Sequence, residues 1–491
     1  MRPSRRQFSK AIALATLAPW GCSSPPPGTE GIVVNDIHSQ LNRTEVDRIV
    51  PATSEQELQS VVVTAARESK PVSIAGGRHA MGGQQFGAGT ILIDTRQLQR
   101  VIAFDAERGV MEVEAGIEWP ALVSHLTELE VDARRSWGIA QKQTGADRLT
   151  LGGALAANAH GRGLQMKPFV SDVESFNLID ANGGLQTCSR DQNRELFSLA
   201  AGGYGLFGIV SSIKLRLTPR RQLRRMVELI RIDELMPAFE SRIAGGFLYG
   251  DFQFSIDEKS EGFLKHGVFS CYQPVDTGLP IPTDQRHFSD QDWSELLYLA
   301  HADKGAAFRR YSEFYLSTSG QLYWSDTHQL SAYLDDYHHA LDKRLSSPES
   351  TEIITEIYVP RADLANFMAE AAEDFRSHQV NVIYGTVRLI ERDDDSFLAW
   401  AKQPYACVIF NLHTRHTAEG LEYSAEAFRR LIDMAIRRGG SYFLTYHRYA
   451  RREQVEACYP QFQAFLRLKK QYDPQERFQS EWYRHYREMF A

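Results

Sequence analysis

The chain has 491 residues, 43% of them hydrophobic and 24% charged, with a formal net charge of −7. That length exceeds one small core and predicts two or three domains, and the acidic balance excludes the clustered basic surface of a nucleic-acid binder. Five cysteines (Cys22, Cys188, Cys271, Cys407, Cys458) are scattered without a CxxC pair or metal-ligand spacing, so no metal site is expected. Past residue 30 no apolar run reaches the ~18–20 residues that span a bilayer.

In chain order, Ser4-Arg5-Arg6-Gln7-Phe8-Ser9-Lys10 and the apolar run from Ala11 to Trp20 come first. They resemble a twin-arginine export signal, with only the residue before Lys10 departing from the usual motif. Residues 1–24 therefore read as a signal, and the protein is expected outside the cytoplasm. Cys22 followed by Ser-Ser-Pro-Pro-Pro resembles a lipoprotein cysteine, although Pro19-Trp20-Gly21 is a poor lipobox. A membrane tether through Cys22 and a discarded signal residue both stay open. Residues 25–43 carry Pro, Gly and polar residues without periodicity, and read as a linker.

From Pro51 the pattern sharpens. Thr53 with Gln56 suggests a capping box; Leu58, Val61, Val62 and Ala65 recur at helical spacing, and Pro71 to Ile74 reads as a strand. Strands at Ile91–Asp94 and Val110–Glu114 follow, then a helix from about Trp119 to Leu129. Later strands are expected near Asn177–Asp180 and Gly208–Leu217, with a boundary at Pro219. Residues 222–440 mix strand-like runs (Gly250–Ser255, Ile353–Val359, Val382–Leu389, Ala406–Leu412) with helices (Arg361–Phe375, Ser424–Arg438), an α+β layout. Its aromatics, including Tyr311, Phe314, Tyr315, Tyr323 and Trp324, are expected mostly in the core.

Three glycine-rich segments carry chemistry. Gly203-Tyr204-Gly205-Leu206-Phe207-Gly208 is a literal GxGxxG, but a dinucleotide fingerprint needs a strand before it and a helix after it. Here the order is reversed, so that reading fails. Ala75-Gly76-Gly77-Arg78-His79-Ala80-Met81-Gly82-Gly83-Gln84 packs four glycines around an arginine and a histidine, where successive N–H groups can converge on a phosphate. Thr150-Leu151-Gly152-Gly153-Ala154-Leu155-Ala156-Ala157-Asn158-Ala159-His160-Gly161 adds a second wall of small residues.

In this order, with Asp180-Ala181-Asn182-Gly183-Gly184, Asn193 to Phe197 and Gly202 to Val210, the segments resemble the vanillyl-alcohol oxidase / p-cresol methylhydroxylase (PCMH) family. The first loop looks most like cytokinin dehydrogenases, the second more like aldonolactone and alditol oxidases. The resemblance implies a two-part PCMH-type FAD-binding domain at residues 44–220 and an α+β substrate (cap) domain at 221–450. A C-terminal segment, 451–491, is then expected to return to the FAD domain. It also implies FAD held by Ala75, Gly76, Gly77, Arg78, His79, Ala80, Gln84, Thr150, Gly152, Gly153, Ala156 and His160, and by the backbone at Ile209 and Val210. In many relatives the loop histidine bonds the flavin covalently, and His79 holds that position. Arg78 stands where relatives often have glycine.

The implied reaction is hydride transfer from a carbinol of a sugar, polyol or aldonolactone to flavin N5, with oxygen or another electron acceptor closing the cycle. Sugar-alcohol and aldonolactone relatives carry a Glu-x-Arg on a strand like 382–389; here Arg388 fits and Thr386 replaces the glutamate. Arg388 and His447 are the catalytic candidates. Amine oxidation of cytokinin-dehydrogenase type, and a flavin-binding protein without catalysis, are the other readings left open.

Overall fold

The structure, a computed structural model, describes residues 31–129, 136–276, 278–331, 334 and 337–491. The expected signal, Cys22 and the start of the expected linker lie outside them. The remainder of that linker is ordered: Ile32–Val34 pairs antiparallel with Thr44–Val46. Between them the Asp36 carboxylate accepts from the amides of His38, Ser39 and Gln40. A turn held by one carboxylate needs no periodicity, so the pattern does not reveal it.

The N-terminal half holds two sheets. Arg48–Pro51, Ile91–Asp94 and Val72–Ala75 form a three-stranded parallel sheet, covered by the helix Glu55–Arg67 through Leu58, Val62 and Ala65. That helix is capped one residue later than the sequence suggests. Ser54 accepts from the Glu57 amide, and the Glu57 carboxylate reaches back to Thr53 N at 2.7 Å. A five-stranded antiparallel sheet orders Leu185–Ser189, Val173–Ile179, Ile209–Arg216, Val110–Glu114 and Val101–Asp105. The GxGxxG segment lies between the helix Arg194–Ala200 and the strand Ile209–Arg216, the reverse of a dinucleotide fingerprint.

Beyond Pro219 the chain builds one eight-stranded antiparallel sheet. Its order is Leu322–Trp324, Gln222–Arg231, His266–Val275, Tyr249–Phe254, Val382–Ile390, Tyr405–Arg415, Ser350–Pro360 and Ser441–Tyr442. Helices Ile232–Ala244, Leu364–Ser377 and Ala418–Ile436 pack against it. Central strands such as Tyr249–Phe254 are buried on both faces, so polar residues on the face away from those helices need partners or a ligand.

The chain ends beside its beginning. Val72 N donates to Arg477 O at 2.7 Å, and Gln479 N to Val72 O at 2.8 Å, so residues 477–479 lie parallel to the edge strand Val72–Ala75. The mixed α+β architecture is the one expected, with the two smaller sheets N-terminal and the large antiparallel sheet following.

Candidate active site

Both glycine loops and the large sheet face a single cavity of about 760 Å³, within the usual size range for cofactor sites. The first loop leaves the end of strand Val72–Ala75 and runs against the second. A Cβ at Gly76 would stand 2.2 Å from Thr150 Oγ1, and one at Gly77 2.2 Å from Arg148 O. Any larger residue would push the two backbones apart. Among the described residues, the amides of Gly76, Gly77 and Arg78 donate to no protein acceptor. Converging N–H groups of this kind suit an anionic phosphate. The second loop opens the helix Leu151–Ala157, whose first turn is held by Thr150 Oγ1 accepting from Gly153 N at 3.2 Å. Small side chains there keep that wall flat. The cradle fits FAD.

Gly76, Gly77, Arg78, His79, Ala80, Gln84, Thr150, Gly152, Gly153, Ala156, His160, Ile209, Val210 and Arg388 all line this cavity. Ala75 does not: its carbonyl is turned to Thr95, accepting from the amide at 2.9 Å, and it backs the loop instead. Arg78 adopts φ 60°, the left-handed conformation that glycine takes without strain, which accounts for glycine at this position in relatives.

His79 is buried, with Nδ1 2.9 Å from His38 Nε2. Burial first, and the neighbouring His38 second, push it down to about 3, so it is neutral at physiological pH. Gln84 spends its side-chain amide on the carbonyls of Leu444 and Thr445, at 3.2 and 2.9 Å. It thereby ties the first loop to the far wall.

His447 is not brought to the cavity. Its ring stacks on Phe428 of the helix Ala418–Ile436 at 4.4 Å and 4°, and its Nε2 lies 3.2 Å from Thr355 Oγ1. It is a core histidine on the helix-covered side of the sheet, and burial pushes it down to about 3. Arg448 turns away as well, donating to Glu481 O at 3.0 Å.

The other cavity wall is a face of the large sheet that motifs did not reveal. Thr386 pairs with Ile409, and Ile409 with Glu356, so a carboxylate sits two strands from the missing Glu-x-Arg position. Glu356 is buried and bonded to His160 Nε2 at 2.6 Å, with Tyr358 OH and Cys407 Sγ as further donors. Burial pushes its carboxyl up, but His160 and these donors hold it below the usual range. His160 Nδ1 faces Gly161 O at 3.0 Å, an acceptor only, so the short Nε2–Glu356 contact holds one shared proton. The pair clamps the second loop to the sheet.

Beside it, Asp251 Oδ1, Thr386 Oγ1, Arg388 Nε and Asn411 Oδ1 are buried without a hydrogen-bond partner among the described residues. No carboxylate pairs with Arg388 there. Arg162 reaches Asp251 Oδ2 at 3.4 Å, and Arg225 lies 4.2 Å from the Tyr315 ring centroid. Tyr311, Phe314, Tyr315 and Tyr323, expected mostly in the core, line the cavity with Tyr272 and Tyr384. One clue in the sequence is Tyr-Gly-Asp-Phe-Gln-Phe at 249–254, where Asp251 and Gln253 alternate into an otherwise apolar strand.

Two glycine loops, amides aimed at an anion and a polar sheet face define a flavin-binding fold in two parts. Residues 46–189 match the family described as FAD binding domain. L-gulono-1,4-lactone dehydrogenase of Mycobacterium tuberculosis is 23% identical over 436 residues, 89% of this chain and 95% of that protein. L-gulonolactone oxidase of Bos taurus is 26% identical over 192 residues, 39% of this chain and 42% of that protein. Cytokinin dehydrogenase 7 of Oryza sativa subsp. japonica is 30% identical over 189 residues, with 37% and 35% covered. The chain spans less than half the length of these last two. A solved structure titled solvent-stable cholesterol oxidase has the same fold, with a TM-score of 0.68, 16% identity and coverage of 94% and 99%. Residues 46–189 are therefore an FAD-binding domain of the PCMH type, within a chain that shares its overall fold with that cholesterol oxidase.

Proposed function

We propose that this protein oxidises a carbinol of a small polyhydroxylated substrate, an aldonolactone, sugar or polyol. The observation that carries this is the set of buried, unpartnered polar atoms on residues lining the cavity's sheet face: Asp251 Oδ1, Arg388 Nε and Asn411 Oδ1. Each such atom costs about 1–3 kcal/mol unless a ligand satisfies it, and a substrate dense in hydroxyls can satisfy several at once. The similarity to the mycobacterial lactone dehydrogenase over most of both chains supports the same substrate class.

Bound FAD supplies the two-electron acceptor. The amides of residues 76–78 hold its phosphates, and the neutral His79, facing the cavity, is its point of covalent attachment. The flat wall of Gly152, Gly153 and Ala156 admits the extended cofactor. Arg388 presents a fixed cation to negative charge developing opposite it, while Asp251 and Asn411 accept from substrate hydroxyls. Rings of Tyr272, Tyr311, Tyr315 and Tyr384 give the substrate an apolar face to lie on.

Anaerobic mixing of the purified protein with an aldonolactone, a polyol, a cytokinin and a sterol tests the assignment. Bleaching of the flavin by the lactone or polyol alone is expected. Bleaching by the cytokinin alone would shift the reaction to a C–N bond, and bleaching by none would leave a binding protein. The same preparation is expected to keep its yellow colour in the acid precipitate; flavin released entirely to the supernatant would sink the attachment at His79.

A further inference from the structure

Away from the cavity's polar face, four elements converge on a second buried carboxylate. Glu352 lies on strand Ser350–Pro360, directly paired with His413 of strand Tyr405–Arg415. His301 comes from the helix Asp290–Ala302, and Tyr337 and His338 from the helix Tyr337–Leu345. His301 Nε2 lies 3.0 Å and His413 Nδ1 3.6 Å from Glu352 Oε1, and the three ligand atoms all lie within 4.8 Å of one another. The other carboxylate oxygen is held by Tyr337 OH at 2.6 Å and His338 Nδ1 at 3.1 Å.

Hydrogen bonding among these groups leaves His413 Nδ1 without a partner. His301 Nδ1 is 2.9 Å from Leu297 O, and a carbonyl only accepts, so Nδ1 carries the proton. His301 Nε2 faces Glu352 Oε1 at 3.0 Å, the same arrangement as in the His160–Glu356 pair. His413 Nδ1 is buried and makes no hydrogen bond, lying too far from the same oxygen to donate. Among the described residues no lysine or arginine pairs with Glu352. A buried nitrogen without a hydrogen bond and a second imidazole thus flank one carboxylate oxygen.

We propose that His301, His413 and Glu352 bind a divalent transition-metal ion of the zinc class, with Tyr337 and His338 fixing the carboxylate. Two imidazoles and one carboxylate are a ligand set for zinc or ferrous iron. Tetrahedral bonds of roughly 2.0–2.1 Å place ligand atoms roughly 3.3–3.4 Å apart, which the observed 3.0 and 3.6 Å bracket. The contact from His301 Nδ1 to Leu297 O is the outer-shell bond that orients a ligating imidazole. The ion would pin the helix Asp290–Ala302, whose Trp293 and Leu297 line the cavity, to the large sheet. Ligands at positions 301, 352 and 413 are too far apart in sequence to form a spacing motif.

Zinc supplies the probe. Flavin-loaded full-length protein, stripped with chelator, reloaded with zinc and dialysed, is expected to retain one zinc per chain by elemental analysis. His301→Gln and His413→Gln are each expected to lose it while keeping flavin content and the circular dichroism of the wild type. Cobalt loaded into the wild type is expected to give visible bands of low-coordinate cobalt bound by nitrogen and oxygen. A wild type without stoichiometric zinc or cobalt bands, or variants that retain the metal, would overturn the site. Neither readout depends on the substrate assignment.

Discussion

His447 and Arg388 share burial but differ in what surrounds them. Arg388 faces open space lined by polar atoms, whereas His447 stacks against Phe428 and Tyr449. For His447 the consequence is thermodynamic. Its folded pKa, about 3, lies below the ordinary 6.5, because burial penalises the imidazolium. Its contribution is therefore present above pH 6.5 and is lost as pH falls towards 3, since only the unfolded chain takes up that proton. His447→Phe keeps the aromatic stack and removes the titration. Between pH 6.5 and about 5 the variant should lose about 1.5 kcal/mol less stability than the wild type. Urea unfolding at the two pH values measures the difference, and equal losses would contradict the buried neutral state.

Among the elements, the helix Phe462–Tyr472 and the turn after it decide how the C-terminus docks. Lys469 and Asp473 are paired and fully buried, and the Asp473 carboxylate also accepts from Arg477 N and Phe478 N at 2.8 Å each. Those bonds aim the following residues along Val72–Ala75. Asp473→Ala should cost about 3–5 kcal/mol, because it strands a buried ammonium. The double replacement Lys469→Met with Asp473→Leu should recover part of that loss. A cost under about 1 kcal/mol in a thermal or urea melt would mean the pair does not organise the segment.

Elements with strong periodicity were legible in the sequence. Ile91–Asp94, Val110–Glu114 and Trp119–Leu129 fall where the pattern puts them. The helices Asp290–Ala302 and Lys304–Ser317 were not. They bury only Ala300, and Ala307 with Ser312, and face the cavity edge with tyrosines and charges, so no apolar stripe marks them. Strand Gln222–Arg231 mixes charged with apolar residues, and His266–Val275 interrupts its apolar run with Gly, Ser and Pro, so neither shows a clean alternation.

Across the whole molecule, the site is a junction between two kinds of wall. The loop wall, residues 76–84 and 150–160, is contiguous in sequence and was legible there. The sheet wall was not, because antiparallel register, rather than sequence spacing, sets Thr386, Ile409 and Glu356 side by side. Arg388 was the one sheet residue found, through its similarity to the Glu-x-Arg strand, whereas His447 two residues beyond Thr445 falls on the opposite side. The same register carries Glu352 to the histidine cluster and Glu356 to the cavity, four residues and about 13 Å apart on one face.

In the proposed reaction FAD and a polyhydroxylated substrate meet between these walls, with Arg388 as the fixed cation. Anaerobic rapid mixing of wild type and Arg388→Ala with the aldonolactone or polyol that bleaches the wild type tests it most directly. Equal FAD content and folding are expected in the two proteins, with flavin reduction about a hundredfold slower in the variant, or about 3 kcal/mol of lost transition-state stabilisation. Equal reduction rates, or a wild type that purifies without flavin and takes none up, would contradict it.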